Sequence, residues 1–193
     1  MVACGARAIM AERARLVPFA QGRALETGVG GGLNLPFYDR RPVKRLDAVD
    51  PSPALLARAG RRRLLESLRR RLRLRIAKDL SFDAGAFDAV VASFTLRSVA
   101  APEAALAKAQ RVLGPGGRLL FCAHGLARDP DAARRRRRLE PIWRPVAGGW
   151  RLTRSPGGAM AAAGFASGRL ERRSRRAAPR FAGWCARGET LWR

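Results

Sequence analysis

The sequence is poor in cysteine, histidine, lysine and tyrosine, and each shortage weighs against a class of function. Its 193 residues include 3 cysteines and 1 histidine. Cys4, Cys122 and Cys185 lie far apart with no CxxC pair, and His124 stands alone, so a zinc site of Cys and His ligands is not expected, nor any other metal site. Tyr38 is the only tyrosine, and the chain has no zinc finger, no KH-type clamp and no aromatic stacking motif. A nucleic-acid partner therefore has no motif to support it. No apolar run approaches the ~20 residues of a membrane span. The stretch Met1 to Arg7 lacks the long apolar core of a signal peptide, which points to a cytoplasmic protein.

What the sequence has in excess is arginine. The formal net charge is +24, and Lys44, Lys78 and Lys108 are the only lysines. Such a field attracts nucleic acid, anionic lipid or acidic metabolites. A codon bias that places arginine on solvated faces accounts for the choice of Arg over Lys better than for the total charge. Hydrophobic residues make up 47% of the chain, so composition does not argue for disorder. The length suits a single domain over residues 1–193, with 1–22 as a helical lead-in.

Strands and helices alternate along most of the chain. Residues 6–16 read as a helix, 23–27 as a strand, 45–49 as a second strand, and Ser52-Pro53 as a helix start running to about residue 67. Leu72, Leu74 and Ile76 alternate with arginines, as in a half-exposed edge strand. Residues 87–92 suit a central parallel strand, with Cys122 expected as a small core residue of a later one. Pro102 opens a helix that Gly114-Pro115-Gly116-Gly117 stops, and residues 118–123 form the next strand. A helix over 153–163 and short strands near 166–172 and 180–187 follow. The expected fold is α/β: a three-layer, Rossmann-like, doubly wound sheet of seven mostly parallel strands with a C-terminal antiparallel hairpin.

The chemistry concentrates at Glu26-Thr27-Gly28-Val29-Gly30-Gly31-Gly32, with Asp50 at the end of the following apolar run. The pattern suggests a strand, a glycine turn and the start of a helix. A dinucleotide loop needs GxGxxG, but Leu33 stands where its last glycine belongs. The spacing present is GxGxG, at Gly28, Gly30 and Gly32. Glu26 is acidic where a pyrophosphate would need neutrality, and it fits a cation such as the sulfonium or ammonium of S-adenosylmethionine. Asp50 is placed to accept hydrogen bonds from both ribose hydroxyls, each worth about 1.5–3 kcal/mol.

Four stretches, 24–39 (ALETGVGGGLNLPFYD), 46–59 (LDAVDPSPALLARA), 87–99 (FDAVVASFTLRSV) and 111–121 (RVLGPGGRLLF), resemble the class I S-adenosylmethionine-dependent methyltransferases of the type-11 domain. The strings GLNLPFYD and LEPIWRPVAGG are similar to those of phospholipid N-methyltransferase-like and thiol methyltransferase-like proteins. The resemblance implies cofactor contacts at Glu26, Gly28, Gly30, Gly32 and Asn34, ribose binding at Asp50, and a contact at Pro51 or Ser52. It places an adenine contact at Ala77 and Lys78, and the methyl-transfer site at Ser93, Phe94 and Thr95. S-adenosylhomocysteine would be the product, and the acceptor a small molecule or a lipid.

Lys78, Ala123 and Trp150 depart from the strings usual in that family. They keep open a second function, a catalytically weakened binding protein that turns its basic surface to nucleic acid or anionic membrane. Methyl transfer from a sulfonium needs mainly alignment and desolvation. If the acceptor arrives protonated, His124 is the catalytic candidate for general base; otherwise it hydrogen-bonds its loop. Residues 129–151 would cover the acceptor, where Trp143 and Trp150 beside Arg134–Arg138 suit peripheral contact with an anionic membrane. Glu140 fits better as an ion-pair partner of these arginines than as a base.

Overall fold

A computed structural model describes residues 5–62, 72–76, 82–96, 99, 101–124, 134, 137–142, 160, 163–165, 170–174 and 184–191. The first element is α1 (Arg7–Leu16), followed by β1 (Gly22–Thr27), β2 (Val43–Asp50), α2 (Pro53–Gly60) and β3 (Leu72–Ile76). Then come β4 (Phe87–Ser93), α3 (Pro102–Val112), β5 (Leu113–His124), β6 (Leu170–Ser174) and β7 (Trp184–Leu191). The strands form one mixed sheet in the order β3-β2-β1-β4-β5-β7-β6. Pairs from β3 to β5 are parallel, while β7 runs antiparallel to both β5 and β6.

Burial explains why the central strands are nearly continuous apolar runs. Side chains alternate between two cores. One holds Ala24, Leu46, Ala48, Ala89, Val91, Leu120 and Cys122 against Leu16 of α1 and Leu56 and Ala59 of α2. The other holds Leu25, Val49, Val90, Ala92, Leu119 and Phe121 against Leu106, Ala109 and Val112 of α3. Helices therefore cover both faces, as parallel strands require. The sheet's edge strand β3 leaves Arg73 and Arg75 exposed and Leu72 and Leu74 half-buried, as the alternation predicts.

Several boundaries differ from expectation for physical reasons. The helix opened by Ser52 ends at Gly60, a residue of low helix propensity, rather than near 67. Its start is as expected, since Ser52 Oγ accepts the Leu55 amide at 3.3 Å. The Gly114–Gly117 segment does not separate α3 from the next strand. Leu113 already pairs with Phe87, and the register then jumps to Ala89–Arg118, so the segment bulges out inside β5. The last two strands lie at 170–174 and 184–191, a few residues beyond the expected positions.

The largest correction concerns the glycine turn. No α-helix begins behind it; residues 28–34 are turn and bend, followed by a 3-10 turn at Leu35–Phe37. Pro36 removes a backbone donor there, Tyr38 returns to extended backbone, and Pro42 follows closely, leaving no length for a helix. An anion at this loop would meet individual amides rather than a helix dipole.

Candidate functional site

The strand order reverses between β1 and β4, so the crevice of an open α/β sheet falls at the carboxyl ends of those two strands. Glu26 and Thr27 close β1 there, and Ser93, Phe94 and Thr95 follow from β4. Thr95 Oγ1 donates to the Thr27 carbonyl at 3.0 Å and ties the two ends together.

The three spaced glycines all have positive φ, but they serve different ends. A Cβ on Gly28 would lie 2.6 Å from the Thr95 side chain, and one on Gly32 would lie 2.8 Å from Leu35 and 3.1 Å from Ala59. Those two are glycines because the protein itself fills the space. A Cβ on Gly30 would meet nothing within 4 Å. Only Gly30 faces open space, and so only it borders room for a ligand.

Asp50 lies beside that opening. Its Oδ2 accepts the Gly30 amide at 2.8 Å and its Oδ1 accepts the Ser52 amide at 2.9 Å. A carboxylate offers about four lone-pair positions, so two remain for hydroxyls of a ligand. Two free acceptor positions on one carboxylate are what the two hydroxyls of a vicinal diol would need. Ser52 thus fixes the acid with its amide and caps α2 with its hydroxyl, while Pro51 is exposed beside it.

Glu26 is held differently. It is 1% exposed, and its two oxygens accept from Asn34 Nδ2 at 2.9 Å and Tyr38 Oη at 3.0 Å. Burial is the main reason its pKa is pushed up to about 7, against the lowering effect of the Tyr38 hydrogen bond, Arg13 and the Asn34 hydrogen bond. Burial, and then Glu26, push the Tyr38 hydroxyl well above its ordinary value. Asn34 is also fully buried. Glu26 and Asn34 form the sealed floor of the site and not its open rim.

Sequence reasoning missed Arg13 and Tyr38. Arg13 reaches in from α1 with 6% exposure, and its Nη1 donates to Asn34 Oδ1 at 2.6 Å and Ser93 Oγ at 2.8 Å. Asn34 Nδ2 also contacts Ser93 Oγ at 2.6 Å. The guanidinium lies 4.9 Å from the centre of the Phe94 ring. Phe94 has φ 61, a left-handed conformation that costs a non-glycine residue about 1–3 kcal/mol, and its amide donates to the Cys122 carbonyl at 2.5 Å. The helix carrying Arg13 is pinned to the sheet by Glu12, which meets Arg187 of β7 at 3.0 Å. Tyr38 could have been suspected as the lone tyrosine close after the glycines; nothing marks Arg13 among so many arginines.

The site thus brings together Glu26, Asn34, Ser93 and Phe94, with Asp50, Ser52, Gly30 and Thr95 around the opening. Ala77, Lys78, Trp143 and Trp150 lie outside the described residues, as does the side chain of His124, whose backbone ends β5 opposite Cys185.

Comparison with known proteins identifies the family. Phosphatidylethanolamine N-methyltransferase of Cereibacter sphaeroides is 38% identical over 112 residues, covering 56% of this chain and 53% of that protein. Thiol S-methyltransferase TMT1B of Rattus norvegicus is 30% identical over 158 residues, covering 76% of this chain and 61% of that protein. The chain thus spans between half and two thirds of the length of these two relatives. A solved structure of geranyl diphosphate methyltransferase in complex with SAM superposes with a TM-score of 0.73, at 15% identity over 97% of this chain and 86% of that one, which bears on the fold alone. The methyltransferase domain family matches residues 25–121, from the end of β1 to the buried part of β5, and the chain belongs to that family.

Proposed function

We propose that this protein is an S-adenosylmethionine-dependent methyltransferase acting on a small-molecule or lipid acceptor. The observation that carries the proposal is Asp50, fixed by the Gly30 and Ser52 amides beside the glycine of the GxGxG loop that faces open space. Bound there, the cofactor would supply an activated methyl group on a sulfonium, with S-adenosylhomocysteine as the product. Asp50 would hold the ribose hydroxyls, and Gly28, Gly30 and Gly32 would shape the loop over the amino-acid part. Glu26, with Asn34, would lie beneath the cationic groups. Pro51, Ala77 and Lys78 would border the adenine, and Ser93, Phe94 and Thr95 the transferred methyl. Residues 129–151 would cover the acceptor, and His124 would take a proton from an acceptor that arrives protonated.

The proposal takes residues 1–193 as one working domain, cytoplasmic, with a seven-stranded sheet closed by the reversed hairpin. Residues 1–22 do more in it than lead in, since α1 supplies Arg13 to the site. The relatives that methylate a phospholipid and a thiol favour a lipid or small-molecule acceptor over nucleic acid. A lipid acceptor entails peripheral contact with a membrane. Among the described residues no helix is long and apolar enough to cross one.

Calorimetric titration with S-adenosylmethionine tests the proposal. Binding in the wild type, weakened about 10- to 100-fold by Asp50→Ala, is the expected result, because a hydrogen bond to a charged group is worth about 1.5–3 kcal/mol. No heat at high micromolar cofactor would overturn it. A radiolabelled methyl donor offered with phospholipid, thiol and quinone acceptors then identifies the acceptor class.

A further inference from the structure

Residues 134 and 137–142 are helical, and all of them but Glu140 are exposed, Leu139 and Ile142 included. Leu139 and Ile142 are 40% and 72% exposed. They stand three residues apart and so share one helix face. Arg138 precedes Ile142 by four residues and joins that face, and Arg134, also helical, precedes Arg138 by four. All three arginines, Arg134, Arg137 and Arg138, are exposed. Glu140, two positions from both Arg138 and Ile142, points to the other side; it is partly buried and has a partner within the molecule. A helix that served only to solvate the surface would turn Leu139 and Ile142 inward and Glu140 outward. Among the described residues only Phe19 is another large hydrophobic side chain so exposed.

We propose that this face, Leu139 and Ile142 flanked by Arg134, Arg137 and Arg138, docks the protein on an anionic lipid surface. Two aliphatic side chains would enter the boundary between headgroups and acyl chains, while the arginines pair with lipid phosphates. Charge selects this occupant. A second copy of a chain with net charge +24 would repel the same basic face. A nucleic acid would match the arginines but leave Leu139 and Ile142 without a partner, since bases are bound by stacking on aromatic planes. The docking face extends the lipid-acceptor reading above and rests on it for the acceptor it would present.

Flotation of the whole chain with vesicles tests this. Vesicles of phosphatidylcholine mixed with phosphatidylglycerol should bind the protein, and vesicles of phosphatidylcholine alone should not. The double variant Leu139→Ser, Ile142→Ser should bind the anionic vesicles about ten-fold more weakly or worse. The triple variant Arg134→Gln, Arg137→Gln, Arg138→Gln should lose about a hundred-fold. All five side chains are exposed, so circular dichroism and the heat of cofactor binding should match wild type in both variants. Equal binding to the two kinds of vesicle, or undiminished binding by the Leu/Ile variant, would overturn the docking face. So would RNA binding that depends on the arginines, ignores Leu139 and Ile142, and outcompetes the vesicles. Vesicle binding of the expected pattern in a protein that gives no heat with cofactor would leave the docking face standing and remove the methyl-transfer proposal.

Discussion

Glu26 and Asp50 are acids at the carboxyl ends of neighbouring parallel strands, and they are satisfied in opposite ways. Asp50 takes two backbone amides, from Gly30 and Ser52, and although it is only 5% exposed it adjoins Gly30, where a Cβ would meet no protein atom. Glu26 takes two side chains, Asn34 and Tyr38, and is sealed. Backbone amides are fixed by the fold, so the Asp50 arrangement survives changes in side chains around it. The Glu26 arrangement exists only while Arg13, Asn34, Tyr38 and Ser93 all hold their places. One acid is held by the backbone and keeps two acceptor positions uncommitted. The other stores its charge under a polar network that spans α1, the glycine loop and the end of β4.

The largest effect should come from removing the residue on which the sealed half depends. Arg13→Met would leave the buried Asn34 Oδ1 without its donor and remove the guanidinium from the Phe94 ring, while Ser93 Oγ keeps its contact with Asn34 Nδ2. An orphaned buried acceptor costs about 1–3 kcal/mol and a desolvated cation–π contact about 1–2, so a loss of about 3 kcal/mol in urea unfolding at neutral pH is expected. A loss below ~1 kcal/mol would mean that the network is not what holds Glu26. Asp50, fixed by backbone amides, should keep its geometry in this variant.

Glu26 itself should reveal its burial through pH. Its pKa rises from 4.5 to about 7 on folding. Between those values the folded state holds a proton that the unfolded state has released, so the contribution favours folding at low pH. It is lost as pH rises through 7. A shift of this size corresponds to about 3 kcal/mol. Ligand-free wild type should therefore lose stability relative to Glu26→Gln as pH climbs from below 4.5 to above 7, by thermal melting across that range. Parallel pH curves for the two proteins would refute the shift.

The two halves also differed in how far the sequence disclosed them. Asp50 and the glycine spacing are local in sequence, within one strand, one turn and the next strand, and periodicity and turn chemistry reach that far. The alternation of Leu72, Leu74 and Ile76 with arginine likewise marked an edge strand from local pattern alone. The floor is different in kind. Arg13 and Ser93 are 80 residues apart, and their contact follows from how α1 crosses the sheet, which the Glu12–Arg187 pair helps to set. No local window contains that information. The absence of a helix behind the glycines has the opposite reason. The glycine turn is a generic signal of a following helix, and Pro36 with Pro42 quietly overrode it.

The smallest and most discriminating test separates the glycines of the loop. Gly28 and Gly30 have φ 69 and 54, so alanine at either position carries the strain of the left-handed region, about 1 kcal/mol. The space around them differs. At Gly28 the new methyl would collide with Thr95 and disturb its hydrogen bond to the Thr27 carbonyl. At Gly30 it would meet no protein atom and would project into the opening beside Asp50. Gly28→Ala should therefore lower the melting temperature more than Gly30→Ala does. Gly30→Ala should cost only the strain in stability, yet weaken cofactor binding by a larger factor than that strain explains, measured by calorimetry on the folded variant. If Gly30→Ala binds cofactor as wild type does, the open space at Gly30 is not where the ligand lies, and Asp50 would owe its two amide bonds to the architecture of the turn alone.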